Sequence, residues 1–325
     1  MLVVAMFFTV FVGLRPIAGE FVDMMNYYGS YVLHEGSMFI FKPTAENLIW
    51  DNLFSWWASN RLGFNSFMLL ACTINFGCTA LACKRLFPND QLIAFLVFLG
   101  AFSTFSYATN GVKAGTAMAI FVLSLTYYKN WRVFIPLVLV SYGFHHSMQL
   151  PLCACFLAYL YRNTKVYLYV WGLCILIAAA HITFFQEIFA AMSVDQFNDA
   201  RGAGYLTESG ADAYLTGFRP DFILYSAAPV WIGWQAIFNK NIKSEFYSYL
   251  LNVYLIINSI WMLCMYASFT NRIAYLSWGL YPFVLIYPLL KENWGDNQYK
   301  LFSKVVVFHL GFTLAMHYIY YVFLK

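Results

Sequence analysis

Lys113, in YATNGVKAGTAMAI, and the adjacent His145 and His146, in SYGFHHSMQLPL, are polar side chains set at the ends of otherwise apolar runs. An ammonium at the edge of an apolar helix is costly unless it meets an anion. The free N–H groups and positive dipole of a first helical turn favour the same kind of ligand. The alternative for Lys113 is a stem that reaches out to the lipid headgroups. Imidazole suits proton transfer near neutral pH, although a histidine in a membrane also serves as a helix-to-helix hydrogen bond. Neighbours on a helix diverge by about 100°, so one of His145 and His146 is expected to face a shared cavity. Arg15 and Asp23, in GLRPIAGEFVDMMNYY, either neutralise each other or meet a substrate. Arg219 and Asp221, in LTGFRPDFILY, and Arg272, in SFTNRIAY, stand at the mouths of later apolar runs, while Arg201, in DARGAGY, lies on a polar stretch. One arginine at a helix mouth anchors headgroups. Several of them beside a lysine and a histidine pair point to an anion site, because guanidinium matches phosphate and carboxylate geometry.

The elements that must position these residues are membrane helices. Of 325 residues, 62% are hydrophobic and 10% charged, so lipid rather than water is the solvent for most of the chain. Such a length holds roughly ten spans of about 20 residues with short connections. Apolar runs occupy residues 2–14, 64–83, 91–108, 112–128, 133–148, 150–161, 166–185, 222–239, 246–266, 273–290 and 301–323. The expected fold is all-α, a single polytopic membrane domain of about 10–11 transmembrane or re-entrant helices, compatible with a GT-C-like arrangement. The shorter runs are expected to be broken or re-entrant. The first run lacks a basic flank and an A-x-A site, so it reads as a short span and not a secretory signal. The seven cysteines all sit in apolar runs and read as small hydrophobes, with no disulfide framework and no metal site.

Charge sets the orientation. With the first segment leaving the cytoplasm, eight of the eleven lysines fall on cytoplasmic turns, whereas Arg15, Arg61, Arg201, Arg219 and Arg272, five of the eight arginines, fall outside. The net charge of +4 therefore reports orientation and not nucleic-acid binding. Two longer outer segments result, residues 15–63 and 186–221. The first contains TAENLIWDNLFSWWASN, residues 44–60, where Thr44 reads as an N-cap and the apolar positions recur at helical spacing. It is expected to lie in the headgroup layer with its tryptophans at the interface, or else to pack on neighbouring helices. The second is polar and glycine-containing, and reads as a loop over a rigid scaffold. His181, His309 and His317 have no charged company and read as structural.

No H-E-x-x-H, P-loop or G-x-S-x-G motif is present, which leaves metalloprotease, ATPase and serine hydrolase readings without support. The same singled-out residues resemble the EpsG family of bacterial polysaccharide proteins, grouped with Wzy-type repeat-unit polymerases. Arg15, Asp23, Tyr27 and Tyr28 match an Arg followed by Asp and tyrosines. VKAGTA matches a later element with Lys113 in place of an arginine, and GFHHSM supplies His145, His146 and Ser147. Gly217, Phe218, Arg219, Asp221 and Phe222 match a g-f-R-x-D-f element, and Arg272, Ile273 and Tyr275 match a-x-R-i-x-y. The matches span about residues 14–290.

The resemblance implies an enzyme that moves a glycan from undecaprenyl pyrophosphate onto another lipid-linked repeat, at the outer face of the bacterial cytoplasmic membrane and without a cofactor. It implies that Lys113, Arg219, Arg272, Arg15 and Arg201 bind the pyrophosphate. His145 or His146, and after them Asp23, would act as base, with Asp221, Tyr27 and Tyr28 as further substrate contacts. The implied partners are the lipid-linked oligosaccharide, membrane lipid, and a flippase and chain-length regulator of the same pathway. The competing classes are an outer-face acyltransferase, a lipid-linked sugar flippase, and a structural subunit of a biosynthetic complex.

Overall fold

The computed structural model describes residues 1–189, 217–268, 270–319 and 322, and among these the regular secondary structure is helical throughout. Its principal helices are α1 (Leu2–Gly13), α2 (Val22–His34), α3 (Leu48–Ser59), α4 (Phe64–Leu86), α5 (Gln91–Leu99), α6 (Phe102–Thr109), α7 (Val112–Leu125), α8 (Trp131–Phe144), α9 (Gln149–Leu160), α10 (Thr164–Ala179), α11 (Pro220–Trp234), α12 (Glu245–Leu263), α13 (Thr270–Trp278), α14 (Tyr281–Lys291) and α15 (Gln298–Tyr318). Among the described residues four stretches are long and apolar enough to cross a membrane: Phe64–Leu86, Glu245–Leu263, Thr270–Lys291 and Gln298–Tyr318. The other apolar runs form shorter helices, among which Gln91–Leu99 and Phe102–Thr109 qualify together as one bent span. Most of the loop expected at residues 186–221, Arg201 included, lies outside the described residues.

The chain divides into two compact units, residues 1–152 with 295–325, and residues 153–294. In the first unit the run at 91–108 is broken. Helices α5 and α6 meet at 73°, because Ala101 is extended between them. The break leaves the Val97 carbonyl without its usual helical donor, since the Ala101 N–H turns to Phe98 instead. His309 Nε2, 2.9 Å away on α15, takes that place. Exposed backbone groups are not tolerated in hydrocarbon, so the structural role expected of His309 has a specific form. Gly100 at the corner lets α15 approach, for a Cβ there would lie 2.3 Å from Leu310.

Helix α7 is the buried centre of this unit, with every residue from Gly115 to Leu125 buried. Gly115 crosses the α6 backbone so closely that a Cβ would come within 2.5 Å of the Tyr107 carbonyl. Small and hydroxyl side chains are what allow such approach in a membrane; Ser141 of α8 donates to the Ala117 carbonyl at 2.7 Å. At one end of the unit Arg85 donates to Thr126 at 2.9 Å and lies 3.6 Å over the Tyr127 ring, so the Lys84/Arg85 turn meets the end of α7. The start of α7, with Lys113, is therefore at the end opposite these basic residues.

The second unit is held by a buried polar network. Asn258 donates to Ser226 at 3.1 Å and Ser277 at 2.9 Å, and accepts from Trp171 at 2.8 Å, while Trp278 donates to Ser226 at 2.8 Å. One amide thereby joins α10, α11, α12 and α13. Tyr225 and Tyr281 stack at 4.0 Å between α11 and α14. The Lys240 and Lys243 turn follows α11 and Lys291 ends α14. Arg219, which begins α11, is thus at the far end from Lys240.

Candidate functional site

In the first unit α3 brings to Lys113 a carboxylate that the sequence analysis did not single out. Asp51 lies 3.6 Å from the Lys113 ammonium, and both side chains are partly exposed. Helix α3 begins three residues later than the expected cap at Thr44 would place it. Its N-cap is Asn47, because Asn52 ties the chain at Lys42 back onto the helix through bonds of 2.7 and 2.9 Å. The Asn47 N–H is answered by Asp51 Oδ2 at 3.1 Å, so Asp51 both caps its own helix and meets the lysine. The tryptophans follow the packing alternative: Trp50 is buried against Phe67 and Phe144, and Trp57 donates to Ser66 at 2.9 Å, while Trp56 remains exposed.

The histidine pair departs from the expectation of diverging helical neighbours. Helix α8 ends at Phe144, His145 is extended at φ −152° and ψ 121°, and His146 opens a short 3-10 turn. Without helical geometry the two rings stack, with centroids 4.9 Å apart and planes 24° from parallel. His145 Nδ1 accepts from the Ser147 N–H at 3.1 Å. His146 Nδ1 lies 3.2 Å from Glu46 Oε1 and 3.1 Å from Asn47 Oδ1, and its backbone N–H donates to that same Asn47 oxygen at 3.0 Å. A continuous polar chain therefore runs from Lys113 through Asp51 and Asn47 to His146 and Glu46.

Arg15 and Asp23 are both tied to the segment that leads into α7. The Arg15 guanidinium donates to the Val12 carbonyl at 2.7 Å and to the Thr109 carbonyl, and burial lowers its pKa from the ordinary value, with the nearby Cys72 sulfur opposing. The Asp23 N–H donates to Asn110 Oδ1 at 2.9 Å, and Asn110 Nδ2 lies 3.4 Å from the Asp23 carboxylate. Tyr27, one helical turn after Asp23, packs at 5.9 Å on Trp50, the neighbour of Asp51. Tyr28 is more exposed and meets Phe64 at 5.4 Å.

In the second unit Arg219 is buried and forked onto Asp221, with Nε to Oδ1 at 3.0 Å and Nη2 to Oδ2 at 2.6 Å. Its guanidinium lies 3.6 Å over the Phe222 ring, and its backbone N–H points at Met265 Sδ, 3.2 Å away. Met265 belongs to the turn between α12 and α13, and Arg272 is exposed in the first turn of α13, so both arginines stand at one end of this unit. Pro220 at the first position of α11 and Asp221 in its first turn suit a helix start. His181 stacks on Tyr266 at 4.1 Å, and His317 meets Phe105 at 4.8 Å, matching the structural reading given to each.

Asp51, Asn47, Asn110 and Glu46 did not stand out in the sequence as site residues. The available cue was composition, for Glu46 and Asp51 are the two acids of residues 44–60. Among the described residues no three His, Cys, Asp or Glu side chains are placed to hold a metal ion. Comparison with known families finds that the model described as the EpsG family matches residues 1–324. No curated protein and no solved structure matches the chain.

Proposed function

The chain belongs to the EpsG family, and from that premise we propose that it polymerises a bacterial surface polysaccharide by joining undecaprenyl-pyrophosphate-linked repeat units at the outer face of the cytoplasmic membrane. The observation that carries this reading is the polar chain from Lys113 to Glu46, with a stacked histidine pair, at the end of its unit opposite the Arg85 turn. A membrane chain places ionisable groups so close together at a cost that function offsets.

The reaction needs a base for the acceptor hydroxyl and cations for the departing pyrophosphate. The histidine pair supplies the first, with Asp23 as the second candidate. Lys113 retains its place as a cation for the pyrophosphate, its charge balanced by Asp51 when substrate is absent. Arg219 and Arg272 take the same role at their own unit's end, with Asp221 setting the orientation of the Arg219 fork. Arg201 is assigned to the pyrophosphate as well. Arg15, bonded to two carbonyls, contributes positive potential while tying α1 to the end of α6. Tyr27 and Tyr28 offer sugar-stacking faces.

The test is reconstitution. Purified protein in liposomes, given undecaprenyl-pyrophosphate-linked repeats, should produce a ladder of lengthened glycans and release undecaprenyl pyrophosphate without nucleotide sugar or ATP. A glycan that stays one repeat long while its lipid changes leaflet would establish a flippase instead. Gain of an acyl group would establish an acyltransferase.

A further inference from the structure

We infer that Glu46 is a positioning residue that fixes the tautomer of His146 and makes His146, of the two histidines, the proton acceptor; this rests on the polymerase reading above. His146 Nδ1 faces two oxygens, Glu46 Oε1 at 3.2 Å and Asn47 Oδ1 at 3.1 Å. The Asn47 atom is an oxygen because it also accepts the His146 backbone N–H at 3.0 Å, which an amide NH₂ could not do. An imidazole nitrogen set between acceptors carries the ring proton, so the lone pair of neutral His146 is on Nε2.

His145 has the opposite arrangement. Its Nδ1 accepts from the Ser147 N–H at 3.1 Å, which puts the proton of the neutral ring on Nε2. The two stacked rings therefore present unlike Nε2 atoms, a proton acceptor on His146 and a donor on His145.

In the transfer step His146 Nε2 takes the proton of the acceptor sugar hydroxyl as its oxygen bonds to the anomeric carbon of the donor. The bond from that carbon to the pyrophosphate oxygen breaks, and its electron pair leaves with undecaprenyl pyrophosphate. The imidazolium so formed faces the Glu46 carboxylate across that same Nδ1–H, and the contact strengthens as the ring gains charge. Glu46 touches neither reacting atom. Among the described residues, the same polar chain also carries Asp51, which answers the Asn47 N–H, and Lys113, which is paired with Asp51.

The test uses the full chain in lipid nanodiscs with ring-labelled histidine, the His146 signals being assigned by difference from His146→Gln. Neutral His146 should carry its proton on Nδ1, and neutral His145 on Nε2. Glu46→Gln, whose amide oxygen can still accept, should keep the His146 tautomer and lower kcat about tenfold with KM unchanged, while Glu46→Ala should mix the tautomers and lower kcat about a hundredfold. An unchanged His145 signal in Glu46→Ala establishes that the α8 end is still folded. His146 with its proton on Nε2 in the wild-type protein, or Glu46→Ala with tautomer and kcat both unchanged, overturns the inference alone. Tautomers as assigned in a protein that extends no glycan would overturn the polymerase reading and leave the Glu46–His146 pairing standing.

Discussion

The Lys113 ammonium lies 3.6 Å from the Asp51 carboxylate, joining the first turn of α7 to α3 across 62 positions of sequence. Asp51 is held in turn by its bond to the Asn47 N–H at 3.1 Å, and Asn47 accepts from His146. The pair is therefore the hinge between the cation and the histidines, and its strength bears on both.

Removing one partner of this pair should cost function more than folding. The side chains are 18% and 37% exposed, so solvent screens the contact, and a double-mutant cycle on stability should give a coupling of about 1 kcal/mol or less. Asp51→Asn should leave the protein at normal abundance and reduce polymer. Lys113→Arg should keep polymer. Loss of the protein from the membrane in either single variant would make the pair a folding element.

His145 and His146 should respond unequally to substitution. His146→Ala should abolish polymer, because it removes the Nε2 lone pair. His145→Ala should reduce polymer by about tenfold, because it removes a donor and the bond that shapes the 3-10 turn. Equal tolerance at both, read from glycan ladders at matched abundance, would move the base to Asp23.

Arg219 should prove both structural and functional, and Arg272 functional alone. Arg219 is buried with its fork on Asp221, so Arg219→Ala removes two charge-assisted bonds from a partly buried carboxylate and should destabilise the protein by about 2 kcal/mol, lowering its abundance as well as its polymer. Arg272 is exposed, so Arg272→Ala should leave abundance unchanged and lower polymer. Thermal melting in detergent, run beside glycan ladders, distinguishes the two; matched melting temperatures with both ladders lost would give Arg219 the same purely functional role as Arg272.

Sidedness is testable at exposed sites. A cysteine at Asn26 on α2 should react with an impermeant maleimide in intact cells, whereas one at Asn297, before α15, should react only after the membrane is opened. The opposite pattern would invert the topology and put the histidine cluster inside.

Helix positions were legible in the composition, because lipid admits long apolar helices and little else; the runs at 64–83, 246–266 and 273–290 are spans of 23, 19 and 22 residues. Family membership was legible too, since the motif residues keep their order along the chain. The partners of the charges were not. Asp51 meets Lys113, Glu46 meets His146, Thr109 meets Arg15 and Asn110 meets Asp23 only once α1, α2 and α3 have packed against the ends of α6, α7 and α8, as such pairs are set by three-dimensional approach and not by spacing. The helical argument about His145 and His146 failed for a related reason. Whether α8 continues through His145 depends on the Ser147 and Asn47 bonds that take over its end, and those form in the folded chain. Arg219 is the same case in reverse: a residue next to a polar loop is buried because Phe222 and Met265 close over it, so its burial belongs to tertiary packing and not to local sequence.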